Sequence, residues 1–97
     1  MYAVAIIRYR LPLQEVLKVV DDHRSYLSEL KKQGILLASG PFDPRTGGLL
    51  LLRLPEGDPQ VELDRIQDHD PFVVSGAAQY EMWPWAVNIG IEDLDKL

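Results

Sequence analysis

Apolar residues follow two spacings along the chain, and these predict strands and helices in turn. The β-branched and aromatic run at 2–10 predicts a first strand. Apolar residues spaced three and four apart predict one long helix over 12–34, opened by a proline and closed by a glycine. Two further apolar runs, at 35–42 and 49–55, flank a segment rich in turn residues and predict a β-hairpin.

The second half of the chain predicts one more helix and one more strand. Residues 56–70 predict a helix, because Asp58 suits the capping position and the proline after it suits the first turn. Residues 78–90 predict the last strand. Pro84 cannot donate to a strand ladder, so this strand should lie at a sheet edge or contain a bulge. The remaining segments are a connection or further helical turn at 71–77 and a short polar tail at 91–97.

The order strand, helix, strand, strand, helix, strand predicts a ferredoxin-like α+β fold. Two helices should cover one face of a four-stranded antiparallel sheet, and the length fits a single domain over 1–97. The other face then has no helix over it. The strands nevertheless contain apolar residues for both faces, among them Leu50, Leu52, Trp83 and Trp85. A second copy of the sheet is the simplest cover, so we predict a homodimer with packed sheets, or a higher oligomer.

Composition and charge narrow the class of protein. The net charge is −5 and the basic residues are scattered, which argues against a nucleic-acid partner, since that requires a basic stripe. The absence of cysteine excludes disulfides and thiolate chemistry and fits a cytoplasmic protein. The apolar start is too short to span a membrane and lacks the features of a signal peptide. No ligand spacing, phosphate loop or nucleophile elbow is present, so we predict no metal and no cofactor.

The first predicted helix has its one histidine on the apolar face. His23 follows Val20 by three residues and precedes Leu27 by four, so it should face the sheet. A buried imidazole needs hydrogen-bond partners, and Ser39 with its adjacent backbone, or the carboxylates at 68–70, could supply them. A core histidine bonded to a carbonyl and a general acid/base held by a carboxylate both fit this position.

Three neighbouring residues also have more than one interpretation. Asp70 precedes a proline and is either a turn or cap residue or the carboxylate partner of His23. Tyr26 lies on the flank of the same helix face and either reaches a ligand or packs at the seam between helix and sheet. His69 could contact a ligand or a metal, although a histidine beside an aspartate in a loop is usually solvated.

Five short motifs, in order along nearly the whole chain, resemble the YCII-related proteins. They are H-R-x-Y-L at 23–27, G-I-L-L-A-S-G-P at 34–41, G-G at 47–48, D-P-F-V-V-S-G at 70–76 and W-P-W-A-V-N-I-G at 83–90. The resemblance implies a ferredoxin-like fold whose sheets pack in a dimer, sometimes within larger rings. It also implies a relationship to muconolactone isomerase and other dimeric α/β-barrel proteins.

The resemblance further implies a site. In the family, a histidine of the first helix and the aspartate of the D-P-F motif are proposed to form a pair in a pocket, and these match His23 and Asp70. The S-G-P segment lines the same pocket and corresponds to Ser39, Gly40 and Pro41. Most members have no established reaction, but the family includes an enzyme that eliminates chloride from a chlorinated hydroxyquinol.

Two functional hypotheses follow. In the first, a small cofactor-independent enzyme uses His23 as acid or base and Asp70 to orient it, for isomerisation or elimination on a small cyclic or aromatic substrate. The second is a small-molecule-binding or assembly module without chemistry. The predicted ligand-binding residues are Ser39, Gly40, Pro41 and Tyr26. Two departures from the family pattern bear on the substrate: the acidic, histidine-containing end of the second helix, and Trp83, where many members have a polar or basic residue.

Overall fold

The structure is a computed structural model that describes all 97 residues. The strands are β1 (Tyr2–Tyr9), β2 (Leu36–Pro41), β3 (Gly47–Arg53) and β4 (Ala78–Trp85). The helices are α1 (Leu13–Leu17), α2 (Val20–Lys32), α3 (Pro59–His69), α4 (Pro71–Val74) and α5 (Ile91–Leu94). The strands form one antiparallel sheet in the order β2-β3-β1-β4, which confirms the predicted ferredoxin-like fold. None of the helices combines the length and apolar character needed to cross a membrane.

Alternate residues of the strands face the helices and form the core. Ala3 and Ala5 of β1 are completely buried, and they pair with Leu52 and Leu50 of β3. Because side chains two residues apart point to the same side of a strand, this register places all four on the helix side. The helices complete the core with Val16, Val20, Leu27, Leu30, Leu63, Ile66 and Phe72.

The other face of the sheet is called the open face below. It is covered only at one end, where the C-terminal segment that contains α5 contacts Tyr2 and Arg53. Leu50 and Leu52, two of the apolar residues expected to serve the two faces, lie on the helix side, because they pair with inward-facing alanines. Their neighbours Leu49 and Leu51 take the open face instead. Two tryptophans lie there as expected, 56% and 45% exposed: Trp83 and Trp85.

The helix predicted over 12–34 is divided in two. The N–H of Val19 donates to the carbonyl of Val16, three residues back, so α1 ends in a tighter turn before α2 begins at Val20. Two consecutive β-branched residues lower the local helix propensity at the break. Neither glycine nor proline marks this position in the sequence, which is why the periodic pattern predicted one helix.

The last strand is shorter than the predicted range 78–90. It ends at Trp85 because that residue pairs with Tyr2, the first residue of β1, which leaves no partner for the residues that follow. The predicted polar tail instead contains α5, and the hydroxyl of Tyr2 donates to Asp95 at 2.5 Å. Pro84 lies on an edge strand, since β4 is the outermost strand on its side of the sheet.

Candidate active site

His23 lies on the buried side of α2 and contacts Asp70 directly. The spacing along the helix places it on the same face as Val20 and Leu27, and its side chain is 10% exposed. Its Nδ1 lies 2.8 Å from Oδ1 and 3.0 Å from Oδ2 of Asp70. The structure therefore brings together the two residues that the sequence suggested as a pair, although they are 47 positions apart.

Asp70 is completely buried, and its carboxylate is surrounded by donors. It caps the short helix α4, where Oδ1 accepts the backbone N–H of Phe72 at 2.9 Å. Its Oδ2 accepts the hydroxyl of Tyr80 in a short hydrogen bond. With His23 as the third donor, the buried carboxylate has the partners that compensate for its lost hydration. Asp70 thus occupies the cap position and contacts the imidazole at the same time.

The carboxylate determines which nitrogen of His23 holds the proton. An ionised aspartate only accepts hydrogen bonds, so we assign the proton to Nδ1, and the neutral ring then has its lone pair on Nε2. Nε2 has no hydrogen-bond partner in the protein. Every side-chain nitrogen or oxygen that is shielded from solvent does have a partner, so Nε2 is not one of the shielded atoms. Nε2 is therefore accessible to solvent, and His23 lines a cavity.

Two tyrosines near Asp70 are held in their neutral form. Burial raises the pKa of Tyr80 above its ordinary value of 10.0, and the charge of Asp70 and the hydrogen bond to it raise this pKa further. Burial and Asp70 also raise the pKa of Tyr26, partly offset by Arg65. Each hydroxyl is a donor, Tyr80 to the carboxylate and Tyr26 to the carbonyl of Ile66 at 2.8 Å.

Aromatic rings restrict the imidazole of His23 from the side. The ring of Phe72 stacks on it with 3.8 Å between centroids and 6° between planes. Tyr9 in turn meets Phe72 edge to face, at 6.0 Å and 82°. These contacts cover one face of the imidazole, so that its orientation is set by packing as well as by Asp70.

A cavity of about 270 Å³ opens beside His23, between α2, α4 and the hairpin of β2 and β3. Cavities that hold drug-sized ligands have volumes of roughly 300–1,000 Å³, so this one suits a compound with a single ring. Three of the predicted ligand-binding residues line it: Ser39, Gly40 and Pro41. His23 forms part of the wall, whereas Asp70 lies behind it and does not reach the cavity.

Tyr26 and His69 are not brought to the cavity. Tyr26, predicted as a ligand-binding residue, does not line it, because its side chain packs against the core and its hydroxyl is bonded to a backbone carbonyl. His69 is exposed at the end of α3, where its Nδ1 lies 2.8 Å from the carbonyl of Arg65. No group of three or more histidine, aspartate or glutamate side chains lies close enough to hold a metal ion.

Glycine allows close backbone contacts at the edge of the cavity. A Cβ atom on Gly48 would lie 2.6 Å from the carbonyl oxygen of Gly40, and one on Gly47 would lie 1.9 Å from that of Ile7. Neither distance is compatible with a side chain unless the backbone moves. The G-G motif therefore sets the spacing of the strands beside the site.

Three residues of this region were not singled out in the sequence: Tyr80, Arg24 and Arg45. A weak signal exists for Tyr80, which alternates with Ala78 and Met82 on the inward side of β4. Arg24 is exposed on α2 like an ordinary surface residue, and Arg45 lies in the turn between β2 and β3. Both line the cavity only because the hairpin folds towards the helix.

The strand order and the core-forming helices on one face define this chain as a ferredoxin-like α+β protein. Residues 1–86 match the YCII-related domain, and the chain belongs to that family. No curated protein sequence is significantly similar to it.

A solved structure of similar fold is 5-chloro-2-hydroxyhydroquinone dehydrochlorinase (TftG) from Burkholderia phenoliruptrix AC1100 in complex with 2,5-dihydroxybenzoquinone. The TM-score is 0.74, the sequence identity is 22%, and the match covers 91% of this chain and 96% of that chain. At this identity the likeness establishes the fold.

Proposed function

We propose that this protein is a small enzyme that uses the His23–Asp70 pair, without a cofactor, to transfer a proton on a small cyclic or aromatic substrate. One observation supports this most strongly. Nε2 of His23 has no protein partner, Nδ1 is held by a buried carboxylate, and the residue lines a cavity. An imidazole in this arrangement is oriented for general acid/base catalysis.

In the proposed reaction, Nε2 of His23 takes a proton from the substrate. The ring becomes an imidazolium, and the adjacent charge of Asp70 stabilises it, as the buried aspartate does in a catalytic triad. Return of the proton to another position gives isomerisation, and departure of a leaving group with the electron pair gives elimination. General acid/base catalysis contributes about 10²- to 10⁴-fold, which sets the size of the effect to look for.

Negative charge that develops on a substrate oxygen needs donors on the opposite wall. Ser39 is exposed and lines the cavity, so its hydroxyl can donate to a ligand there. We assign this hydroxyl to the developing oxyanion. Pro41 completes this side of the cavity without adding a donor.

The substrate class rests on the cavity and on the structural neighbour. The cavity has room for one ring, and Phe72 and Tyr9 give it an aromatic wall. The neighbour is named as a dehydrochlorinase of a hydroquinone and was solved with a benzoquinone. Both point to a substituted single ring.

The proposed working unit is a homodimer built through the open face. Val4, Ile6 and Leu51 are only partly buried on this face, and two exposed tryptophans lie beside them. A monomer seldom leaves such a continuous apolar patch in water. Packing of two sheets face to face would cover it.

The alternative is a module that binds a small molecule without chemistry. It is favoured by the small volume of the cavity and by the complete shielding of Asp70 behind His23. In that case the pair would only fix the shape of the wall. Binding and turnover must therefore be measured separately.

The test is turnover of two compounds: chloride release from 5-chloro-2-hydroxyhydroquinone, and exchange of the ring hydrogens of 2,5-dihydroxybenzoquinone in deuterated water. His23→Gln should lower either rate about 100-fold or more. His69→Gln removes the other, exposed histidine and should leave the rate unchanged. Equal rates in wild type and His23→Gln would refute the proposal, and ligand binding without any turnover would support the alternative.

A further inference from the structure

The cavity beside His23 has a positive lining in an acidic protein. Arg24 and Arg45 both line it, and no aspartate or glutamate does. The chain as a whole has a net charge of −5, with 15 acidic residues against 10 basic. A local concentration of positive charge against this background raises the local concentration of an anion.

Neither guanidinium is neutralised by the protein. Arg24 makes no ion pair and no side-chain hydrogen bond, whereas five basic residues outside the cavity pair with carboxylates, as Arg65 does with Glu62 at 2.7 Å. Arg45 makes a single side-chain hydrogen bond, from Nε to the hydroxyl of Tyr9 at 3.3 Å. That bond leaves the two terminal nitrogens of Arg45 free to donate in the fork geometry that fits a carboxylate.

We propose that the cavity selects a single-ring organic anion, a carboxylate or a phenolate, whose charge is bound by Arg24 and Arg45. This inference rests on the proposed function, because it names the substrate class of the same site. The ring lies against Phe72 and its ionised oxygen points to the arginines. His23 Nε2 then faces the ring itself, and the charge stays away from the reacting hydrogen.

The cavity separates the binding of the anion from the transfer of the proton. The His23–Asp70 contact is buried and adds no free anion to the cavity, since Asp70 lies behind the imidazole. Arg24 is exposed on α2, and Arg45 is half-buried in the turn after β2. Charge recognition therefore depends on residues that take no part in moving the proton.

The test is a binding measurement that needs no turnover. Benzoate is the probe, benzamide is its neutral counterpart, and acetate supplies the charge without the ring. Affinities come from calorimetry, and ¹H–¹⁵N spectra locate the shifts. Wild type should bind benzoate about tenfold more tightly than benzamide or acetate, as expected for a charged hydrogen-bond pair.

Substitutions then assign the effect to the two arginines. Arg24→Gln and Arg45→Gln should each weaken benzoate about tenfold and change benzamide by less than about twofold. Lys31→Gln is the matched control, because it removes one positive charge from the exposed end of α2, away from the cavity. His23→Gln should keep the preference for benzoate.

The outcomes distinguish this inference from the proposed function. Equal binding of benzoate and benzamide, or an effect of Lys31→Gln as large as that of the arginine variants, overturns the inference and leaves proton transfer by His23 untouched. Failure of all three probes to bind also overturns it. A preference for benzoate that disappears in both arginine variants supports it even if His23→Gln shows no loss of turnover.

Discussion

The two faces of the sheet are built from the same four strands but treat their side chains differently. On the helix side, the buried His23 and the half-buried Tyr80 both form hydrogen bonds to the buried carboxylate of Asp70, and no shielded side-chain polar atom is left without a partner. On the open face, Trp83 and Trp85 remain about half exposed. The covered face can hold the charged carboxylate of Asp70 because three donors form hydrogen bonds to it. The open face instead leaves large apolar side chains exposed to solvent.

This difference predicts two kinds of sensitivity. On the covered face, loss of a single polar partner should destabilise the fold, because the remaining groups stay buried without compensation. On the open face, a polar substitution should leave the fold intact and change association instead. The following substitutions test this division.

The largest effect is expected for Asp70→Ala. It removes the acceptor of three donors and leaves the Nδ1–H of His23 and the hydroxyl of Tyr80 buried without a partner, which should lower the free energy of unfolding by about 3–5 kcal/mol. Urea unfolding measures the loss. Asp68→Ala, an exposed carboxylate two residues earlier, should change it by less than about 0.5 kcal/mol. If both variants lost a similar amount of unfolding free energy, the proposed stabilising role of the hydrogen bonds to Asp70 would be contradicted.

The next effect concerns the open face. Trp83→Glu places a charge on the apolar patch and should weaken self-association about thirtyfold or more, the usual effect of losing an interface hot spot. Analytical ultracentrifugation measures it, and far-ultraviolet circular dichroism checks that the fold is kept. Val61→Glu makes the same change at a 60% exposed position of α3 and serves as control. A wild type that stays monomeric at all concentrations would refute the dimer.

Two glycines of the hairpin give a matched pair. Gly48→Ala should destabilise by about 1–3 kcal/mol, because its Cβ would lie against the carbonyl oxygen of Gly40. Gly40→Ala should be tolerated, since nothing lies within 4 Å of its Cβ position. Thermal unfolding of both variants compares them directly. Equal stability would show that the strands do not need this close approach.

The smallest effect is a dependence on alkaline pH. The pKa of Tyr80 is raised in the folded protein, so above about pH 10 the unfolded chain loses this proton while the folded one keeps it. The unfolded state then binds fewer protons, and stability falls as pH rises, by about 1.4 kcal/mol per pH unit for this group.

Tyr80→Phe should remove that part of the slope. Urea unfolding of both proteins at about pH 10 to 11 tests this, with the interval of about pH 7 to 9 as an internal control in which the tyrosine does not ionise. Parallel stability curves for wild type and variant throughout the alkaline range would contradict the protonated, buried state of Tyr80.

Periodicity predicted the orientation of His23 because a helix with one apolar stripe has only one way to face a sheet. The same reasoning gives no orientation for the leucine run of β3, because every position from Leu49 to Leu52 is apolar. In such a run no polar residue marks the side that faces solvent. The pairing register with β1 therefore decides which two leucines face the helices. The break between α1 and α2 was not predicted, because the apolar residues keep their helical spacing across it.

The site was predictable in part. The D-P-F motif identified Asp70 as a possible partner of His23 by resemblance to the family, and the structure places the two in contact. The role of Tyr80 depends on how α4 lies against β4, which no local pattern encodes. Arg45 is a turn residue whose side chain reaches the cavity only through the path of the hairpin.

The central claim is that Asp70 holds the proton on Nδ1 of His23 and leaves Nε2 free towards the cavity. Two-bond ¹H–¹⁵N spectra of the imidazole rings at about pH 9, where an imidazole is neutral, report which nitrogen is protonated. His69→Gln assigns the signals, since the chain has two histidines. We predict a protonated Nδ1 and a bare Nε2 in wild type, and a mixture of both tautomers in Asp70→Asn. A protonated Nε2 in wild type would contradict the account.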